Sequence, residues 1–237
     1  MEAAHSVIWQ QTTLMRRMEV IADNVSNAET PGFKAEMVEM ATAFAQTPFG
    51  ERLIQNSAQA RDTREGAFQQ TGNPLDLAIK GKGYFMVRTP DGDRFTRNGR
   101  FTLDVNGQLI TAEGNPVLGD DGAPIFFAPT ENDIRISEDG VVTTESGSVG
   151  TIGIVQFADE QRLIRTQNGF MAGNAQPQPA VDARIVQGAL EDSNVEAIVE
   201  MTRMMQVLRD FQSAQKVVDS EHSRTRRMIQ VLTGASS

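Results

Sequence analysis

Apolar side chains near the N-terminus recur in alternating steps of four and three residues. Such a heptad spacing predicts a helix with one narrow apolar face, which is typical of helix pairing. The pattern stops at Thr30-Pro31-Gly32, where proline lacks an amide donor and glycine permits a turn. We therefore predict a helical N-terminal arm over residues 1–33. Its apolar seam includes Leu14, Met18, Ile21 and Val25.

The C-terminal end, residues 190–237, repeats this pattern. Ser193 precedes Glu196 by three residues, a capping box that predicts a helix with Ser193 as its N-cap. Acidic residues gather at the start of the segment and arginines near its end, which matches the helix dipole. The narrow, methionine-rich seam favours pairing with a partner helix, and an ordinary globular core is the alternative. The seam includes Ile198, Met201, Met205, Leu208 and Phe211.

The central residues 72–189 are typical of short antiparallel strands. In the segment 100–105, Phe101, Leu103 and Val105 alternate with polar neighbours, the period of a half-buried strand. Asn-Gly or Asp-Gly pairs recur along this region, and such pairs form tight hairpin turns in which both residues need a positive φ. Further strands are predicted at 84–89, 94–97 and 108–111, with dipeptides ending at Gly92, Gly99, Gly107, Gly122, Gly140 and Gly169. No βαβ alternation is present, so we predict an α+β fold.

That fold would combine a coiled-coil-like pair of N- and C-terminal helices with a central antiparallel all-β domain. Residues 34–71 carry a weaker pattern. Met37, Met40 and Phe44 are compatible with a short helix, whereas scattered glycine and polar residues indicate mostly extended chain. We predict an extended connector there.

Composition narrows the possible functions. The chain has 237 residues, with 22 Lys and Arg against 31 Asp and Glu, and a formal net charge of −9. This acidity argues against nucleic-acid binding, which requires a clustered basic surface. The absence of cysteine excludes disulfides, thiol nucleophiles and cysteine-based zinc sites. Residues 1–11 lack the apolar run of a secretory leader, and no stretch has the length of a membrane span, so we expect neither a cleaved signal peptide nor membrane insertion.

Local patterns that resemble ligand sites lack the required spacing. Lys80-Gly81-Lys82-Gly83 has neither the Walker spacing of a phosphate loop nor a following helix. Asp91-Gly92-Asp93 and Asp120-Asp121-Gly122 lack the alternating ligands and closing glutamate of calcium loops. The histidines, His5 and His222, have no companion at helical spacing. We therefore predict no catalytic residue, cofactor or metal site. The alternatives are a hydrolase with an unrecognised carboxylate site and a binding module whose helices form a closed dimer.

Four sequence blocks resemble signatures of the flagellar basal-body rod and hook protein family. They read ADNVSNAETPGFK at residues 22–34, NPLDLAIKGKGYF at 73–85, FTRNG at 95–99 and QGALEDSNV at 187–195. Each block alone is weakly specific, but four in family order over most of the chain are highly specific. Asp23 departs from the family, which more often has asparagine there. The motif positions carried over are Asn24, Asn27, Pro31, Gly32, Phe33, Leu75, Asp76, Gly81, Gly83, Arg97, Gly99, Gly188, Glu191, Ser193, Asn194 and Val195.

The resemblance implies a structural, non-enzymatic subunit that stacks helically into the rod crossing the bacterial periplasm. It implies that the terminal helices pair in the inner wall of a tube and that the β domain faces outward. The two seams are then expected to form the assembly interface. The implied partners are further copies of the chain, other proximal and distal rod subunits, and the flagellar type III export apparatus that carries the chain out of the cytoplasm. The surrounding basal-body rings are a further candidate.

Within the family, the short segment between the first helix and the block at 73–85 resembles the proximal-rod members. Distal-rod members usually carry a longer segment at this point. A distal-rod or hook subunit is therefore the alternative within the family.

Overall fold

The computed structural model describes residues 2–47, 50–128, 133–166, 169–173 and 175–232. The chain forms two compact units. One unit, the helical unit, comprises Met1–Ser26, Glu36–Ala60 and Val195–Ser237. The other, the β unit, comprises Asn27–Ala35 and Arg61–Asn194. The predicted α+β class is confirmed, because both ends of the chain are helical and the centre consists of antiparallel strands.

The helical unit is built on two long antiparallel helices, α1 (Glu2–Ser26) and α2 (Ala197–Leu232). Gln11 Nε2 donates a hydrogen bond to Gln215 Oε1 (3.0 Å) in the first half of α1. Asn24 Nδ2 donates to Glu200 Oε2 (3.4 Å) at the other end. These two hydrogen-bonded pairs show that the helices are antiparallel, since the residue number rises along α1 and falls along α2 from the first pair to the second.

Two strands, β1 (Glu36–Thr47) and β2 (Gly50–Arg61), pair with each other in a two-stranded sheet. They occupy most of the segment 34–71 that the sequence predicts as an extended connector. The alternative of a short helix around Met37 and Phe44 is wrong, because the backbone there is a strand. Pairing with β2 gives the amides of β1 hydrogen-bond partners that a helix would otherwise supply internally.

The predicted N-cap of the C-terminal helix is also wrong. α2 begins at Ala197, and the first intrahelical bond runs from the Glu200 N–H to the Glu196 carbonyl (3.0 Å), so Glu196 occupies the N-cap position. Ser193 lies three residues upstream, beside Asn194. The Asn194 side chain accepts from the Ala35 N–H (2.7 Å) and donates to the Asp62 and Arg64 carbonyls. These bonds hold the backbone around Asn194 in a loop, which delays the helix start.

The described residues of the β unit form fifteen short strands and one turn of 3₁₀-helix at Glu160–Arg162. The strands are β3 (Phe68–Gln70), β4 (Leu77–Lys80), β5 (Tyr84–Thr89), β6 (Gly92–Thr96), β7 (Phe101–Leu103), β8 (Leu109–Thr111), β9 (Arg135–Ile136), β10 (Val141–Thr144), β11 (Gly147–Thr151), β12 (Ile154–Gln156), β13 (Ile164–Arg165), β14 (Met171–Ala172), β15 (Gln178–Pro179), β16 (Arg184–Gln187) and β17 (Ala189–Glu191). The predicted strand at 84–89 is confirmed in full, and those at 94–97, 100–105 and 108–111 overlap β6, β7 and β8.

The strands of the β unit form several small antiparallel sheets. The largest has six strands in the order β13-β14-β6-β5-β12-β15, and β11-β10-β9 form a three-stranded sheet. Three further pairs are β16-β4, β17-β3 and β7-β8. In two of these pairs, β16 and β17 bring residues 184–191 beside residues 68–80. The unit is therefore closed by strands that are more than a hundred residues apart in sequence.

Strand β5 separates two apolar clusters. Phe85 and Val87 contribute to the larger cluster, which also contains Leu77 and Ile79 of β4. Tyr84 and the partly buried Met86 contact the smaller cluster on the opposite face. Because successive side chains of a strand point to opposite faces, this strand is apolar at four consecutive positions rather than alternating.

The Asn-Gly and Asp-Gly turns differ from the predicted geometry. Glycines at these turns, for example Gly107 and Gly140, have φ of 78° and 86°, but no non-glycine residue in the described ranges has a positive φ. A single left-handed residue is typical of the longer hairpin loops rather than of two-residue turns. Gly99 has no positive φ at all; a Cβ there would lie 1.7 Å from the Leu77 carbonyl oxygen, so close backbone approach requires glycine. Asn168, the partner of Gly169, lies outside the described residues.

Candidate assembly interface

The core of the helical unit lies between α1 and α2. Its buried side chains are Leu14 and Ile21 of α1 with Val207 and Ala214 of α2. Met18, Val25, Met204 and Phe211 are half-buried against them. All four predicted seam residues of α1 therefore face α2. Of the five predicted for α2, the structure brings only Phe211 to this contact.

The other four predicted seam residues of α2 form an exposed stripe. Ile198, Met201, Met205 and Leu208 are 82%, 53%, 51% and 41% exposed. At about 100° per residue, this stripe lies roughly 125° around α2 from the face that packs on α1. We refer to these four residues as the exposed stripe. Large apolar side chains aligned on one helix face in this way mark an interaction surface.

Two apolar lines therefore run along α2. The seam predicted from the sequence combined residues of both lines in one face. The buried line follows Met204, Val207, Phe211 and Ala214 in steps of three and four. The exposed stripe has the same step pattern but a different phase. Counting both phases separately would have shown two apolar faces, the signal of a helix with more than one partner.

A polar residue fixes the register of the helical unit. Asn24 is buried, and its Nδ2 donates to the Glu36 carbonyl (2.7 Å) as well as to Glu200. Its Oδ1 accepts from the Glu36 N–H (2.9 Å). Glu200 in turn accepts a hydrogen bond from Arg203 one turn along α2. Asn24 thus ties α1, α2 and the start of β1 together, much as a buried asparagine specifies register in coiled coils.

Charged residues from three of the four sequence blocks meet at one buried carboxylate, that of Glu191. Glu191 Oε2 accepts from Arg97 Nε (2.8 Å), and Oε1 accepts from Lys34 Nζ (2.5 Å). Oε1 also accepts from the Gly66 N–H (3.0 Å). All three charged side chains are almost completely buried. Burial lowers the pKa of Lys34, although Glu191 acts in the opposite direction.

Backbone groups complete this cluster. Arg97 donates to the carbonyls of Ile79, Gly81 and Gly83 (2.8–3.1 Å). The Gly32 N–H donates to the Glu191 carbonyl (2.7 Å), and the Asn194 N–H to that of Phe33 (3.3 Å). Residues of the first, second, third and fourth sequence blocks are thus adjacent in space. Their arrangement satisfies buried charges, so its role is structural.

The remaining motif residues lie in turns or strand ends. Asn27 accepts from Thr30 through both its carbonyl and its side chain, and Pro31 follows in the same turn. The Asp76 carbonyl accepts from the Gly188 N–H (2.8 Å), which joins the second and fourth blocks. Leu75 packs against the larger apolar cluster. Ser193 and Val195 are half-buried in the segment that precedes α2.

In the part of the chain that the structure describes, neither helix is apolar enough over a sufficient length to cross a membrane. Three or more His, Asp or Glu side chains do not cluster as a metal site anywhere in the described ranges. The side chains of His5 and His222 lie outside those described.

Three family models match successive parts of the chain. Residues 11–34 match the family model described as "Flagella basal body rod protein". Residues 78–144 match "Flagellar hook protein FlgE/F/G D1 domain", and residues 186–231 match "Flagellar basal body rod FlgEFG protein C-terminal". The first match covers most of α1 and the turn after it, the last covers β17 and nearly all of α2, and the middle match falls within the β unit.

Curated relatives align with nearly the whole chain. The flagellar basal-body rod protein FlgF of Caulobacter vibrioides is 35% identical over 231 residues, covering 94% of each chain. FlgF of Escherichia coli is 30% identical over 254 residues, covering 98% of each. The rod protein FlgG of Bacillus subtilis is 31% identical over 250 residues, covering 92% of this chain and 94% of its own.

These matches define a structural subunit built from terminal helices and a β domain. The chain belongs to the flagellar basal-body rod protein family, whose members assemble with other rod and hook subunits in the basal body. Three of the FlgF proteins compared reach identities of 33–35%, against 31% for FlgG of Bacillus subtilis.

Proposed function

We propose that this chain is a subunit of the proximal rod and that it polymerises helically with other rod subunits through its helical unit. In this role it contributes to the drive shaft and to the wall of the export channel. The similarity to FlgF proteins supports the proximal position. The observation that carries the proposal is the exposed stripe on α2, which the intramolecular helix pair leaves uncovered.

Burial of the stripe would stabilise a contact between subunits. Complete burial of one Leu, Ile or Met side chain contributes about 1.5–3 kcal/mol, and the four stripe residues are roughly half-exposed. The gain from the stripe is therefore a few kcal/mol per contact before ordering costs are subtracted. Repeated along a polymer, contacts of this size hold a rod together while each subunit stays soluble before assembly.

We further propose that the chain is made in the cytoplasm and exported by the flagellar type III apparatus without a cleaved signal peptide. The rod that it joins crosses the periplasm, so the basal-body rings that surround the rod are candidate neighbours. Membership of the flagellar basal-body rod protein family supports this route.

Substitution of Met205 by aspartate tests the assembly role. In the free chain Met205 is about half-exposed, so the new carboxylate stays solvated and the melting temperature should not change. In an assembled rod the same charge would be desolvated without a partner, which costs several kcal/mol. We expect Met205→Asp to be missing from isolated basal bodies and the cells to be non-motile.

Met205→Leu is the matched control, because it keeps an uncharged apolar side chain of similar size at the same position. This variant should enter basal bodies normally. Incorporation of Met205→Asp at the normal level would overturn the proposal that the stripe is buried on assembly. Free chain that saturates as a dimer through the stripe would instead indicate a closed dimeric module.

A further inference from the structure

A groove runs between α1 and α2 on the side of the helix pair away from the exposed stripe. Its volume is about 380 Å³. Three of its lining residues are apolar: Leu14 and Ala214, which are buried, and Val217, which is half-exposed. The other lining residues are polar: Gln10, Thr13, Arg17, Asp210 and Ser213.

The part of the groove that α2 forms and the exposed stripe lie on different faces and in different segments of α2. The groove residues of α2 are centred about ten residues after the stripe, a distance of about 15 Å along the axis. Around the axis, the two surfaces lie roughly 150° apart. The stripe of one molecule therefore cannot reach the groove of the same molecule, and the two surfaces share no residue.

We infer that the exposed stripe of one copy docks into the α1/α2 groove of the next copy. The inference rests on the proposed assembly function and specifies which surfaces meet. An engineered cavity of about 150 Å³ holds a benzene-sized group, so this groove has room for roughly two side chains of the size of methionine or leucine. Met201 and Met205 lie one turn apart and present two such side chains together.

The chemistry of the two surfaces is complementary. Unbranched methionine side chains adapt to irregular apolar gaps, and the groove has an apolar floor between polar walls. Thr13 and Ser213 on those walls are small and leave room for an entering side chain. Arg17 and Asp210, on opposite helices, border the groove with opposite charges, and a neutral apolar side chain that enters between them adds no further charge.

The position of the two surfaces also determines the type of assembly. A contact between two different patches is heterologous, and if its rotation does not close a ring it produces an open helical polymer. A contact of stripe against stripe would instead be two-fold symmetric and would end at a dimer. Only the heterologous contact is compatible with a rod.

Paired cysteines test the contact directly, because the native chain contains no cysteine. The variant Met205→Cys/Ser213→Cys would replace the native chain in cells. Basal bodies isolated from these cells would be oxidised, and their protein chains would be separated by denaturing gel electrophoresis without reductant. Within one chain these positions are eight residues apart on α2, about 12 Å, whereas a disulfide needs Cα atoms within about 7 Å. Any disulfide must therefore join two copies. We expect linked dimers and higher oligomers from the double variant and none from Ser213→Cys alone.

The matched control is Gln206→Cys/Ser213→Cys, in which the first cysteine moves by one residue and about 100° away from the stripe. It should give no linked species. A second pair, Met201→Cys with Val217→Cys, examines the same contact at the other methionine. Incorporation of both pairs into basal bodies without any cross-link, or linked dimers from Met205→Cys alone, would overturn the docking while leaving the rod assignment standing. Absence of the native chain from basal bodies would overturn the assignment itself.

Discussion

Arg97 and Glu191 form a buried ion pair in the β unit, with Nε 2.8 Å from Oε2. The two residues are 94 positions apart, and Lys34 joins the same carboxylate from a separation of 157 positions. One carboxylate therefore pairs with two buried cations that come from different segments of the chain. Removal of the shared carboxylate strongly destabilises the fold around such a site, because the remaining charges are buried without a counter-ion or water.

The first prediction concerns this shared carboxylate. Glu191→Gln keeps the shape of the side chain but removes its charge, so Lys34 and Arg97 remain buried without an anion. We expect the free energy of unfolding of the β unit to fall by about 3–5 kcal/mol, measured by denaturant titration. Asp133→Asn, which removes an exposed partner of Arg135, is the control and should change stability little. Equal effects of the two substitutions would contradict a special role for Glu191.

The second prediction concerns Tyr84, the single tyrosine of the chain. Burial raises the pKa of its phenol above the ordinary 10.0, and the charge of Glu160 and its hydrogen bond with the phenol (2.9 Å) act in the same direction. Above pH 10.0 the unfolded chain loses this proton while the folded chain keeps it, so the free energy of unfolding should fall as pH rises.

Phenolate absorbance during an alkaline titration reports on Tyr84 alone. We expect the signal to appear only as the β unit unfolds, and Tyr84→Phe to flatten the fall in stability above pH 10.0. Reversible ionisation in the folded protein near the ordinary pKa would show that the phenol is accessible to solvent and that the prediction is wrong.

The third prediction concerns Gly99. A Cβ at this position would lie 1.7 Å from the Leu77 carbonyl oxygen and 3.1 Å from the Phe85 ring. Gly99→Ala therefore forces a backbone shift beside the larger apolar cluster, and we expect a loss of about 3 kcal/mol in thermal or denaturant unfolding. Gly150→Ala is the control, because a Cβ there meets nothing within 4 Å and the φ of Gly150 is not positive. A neutral Gly99→Ala would show that close approach is not what requires glycine.

The fourth prediction concerns Asn24. Asn24→Ala leaves the Glu36 N–H and one oxygen of Glu200 without this partner inside the helical unit. Loss of a buried hydrogen-bond partner costs about 1–3 kcal/mol, so the helix pair and the start of β1 should loosen together. Amide hydrogen exchange at Glu36 measures this directly and should speed up. Glu19→Ala, on the exposed face of α1, should leave the Glu36 amide unchanged.

The sequence predicts those parts of the structure that depend on local patterns. Periodicity identified both helices and placed Leu14 and Ile21 on the face of α1 that packs on α2, because helix faces follow from spacing alone. The face of α2 on which Met205 lies does not follow from spacing alone. Two apolar lines with the same spacing run along α2, and only the contact with α1 shows which of them is buried. The meeting of Lys34, Arg97 and Glu191 has no periodic signal, because it depends on how distant strands pair.

The fifth prediction concerns the order of the helical unit before assembly. Among the described side chains, the apolar cluster between α1 and α2 has four buried members, Leu14, Ile21, Val207 and Ala214, and long helices with little packing are marginal in water. We expect amides of α1 and α2 to exchange faster in the free chain than those of β4 and β5, whose apolar side chains are almost all buried, with Met86 the partly buried exception. In assembled rods the helices should become protected, while β4 and β5 serve as an internal reference. Strong protection of residues 14–25 and 201–211 in the free chain would mean that the helix pair is already a complete fold and gains no order from its neighbours.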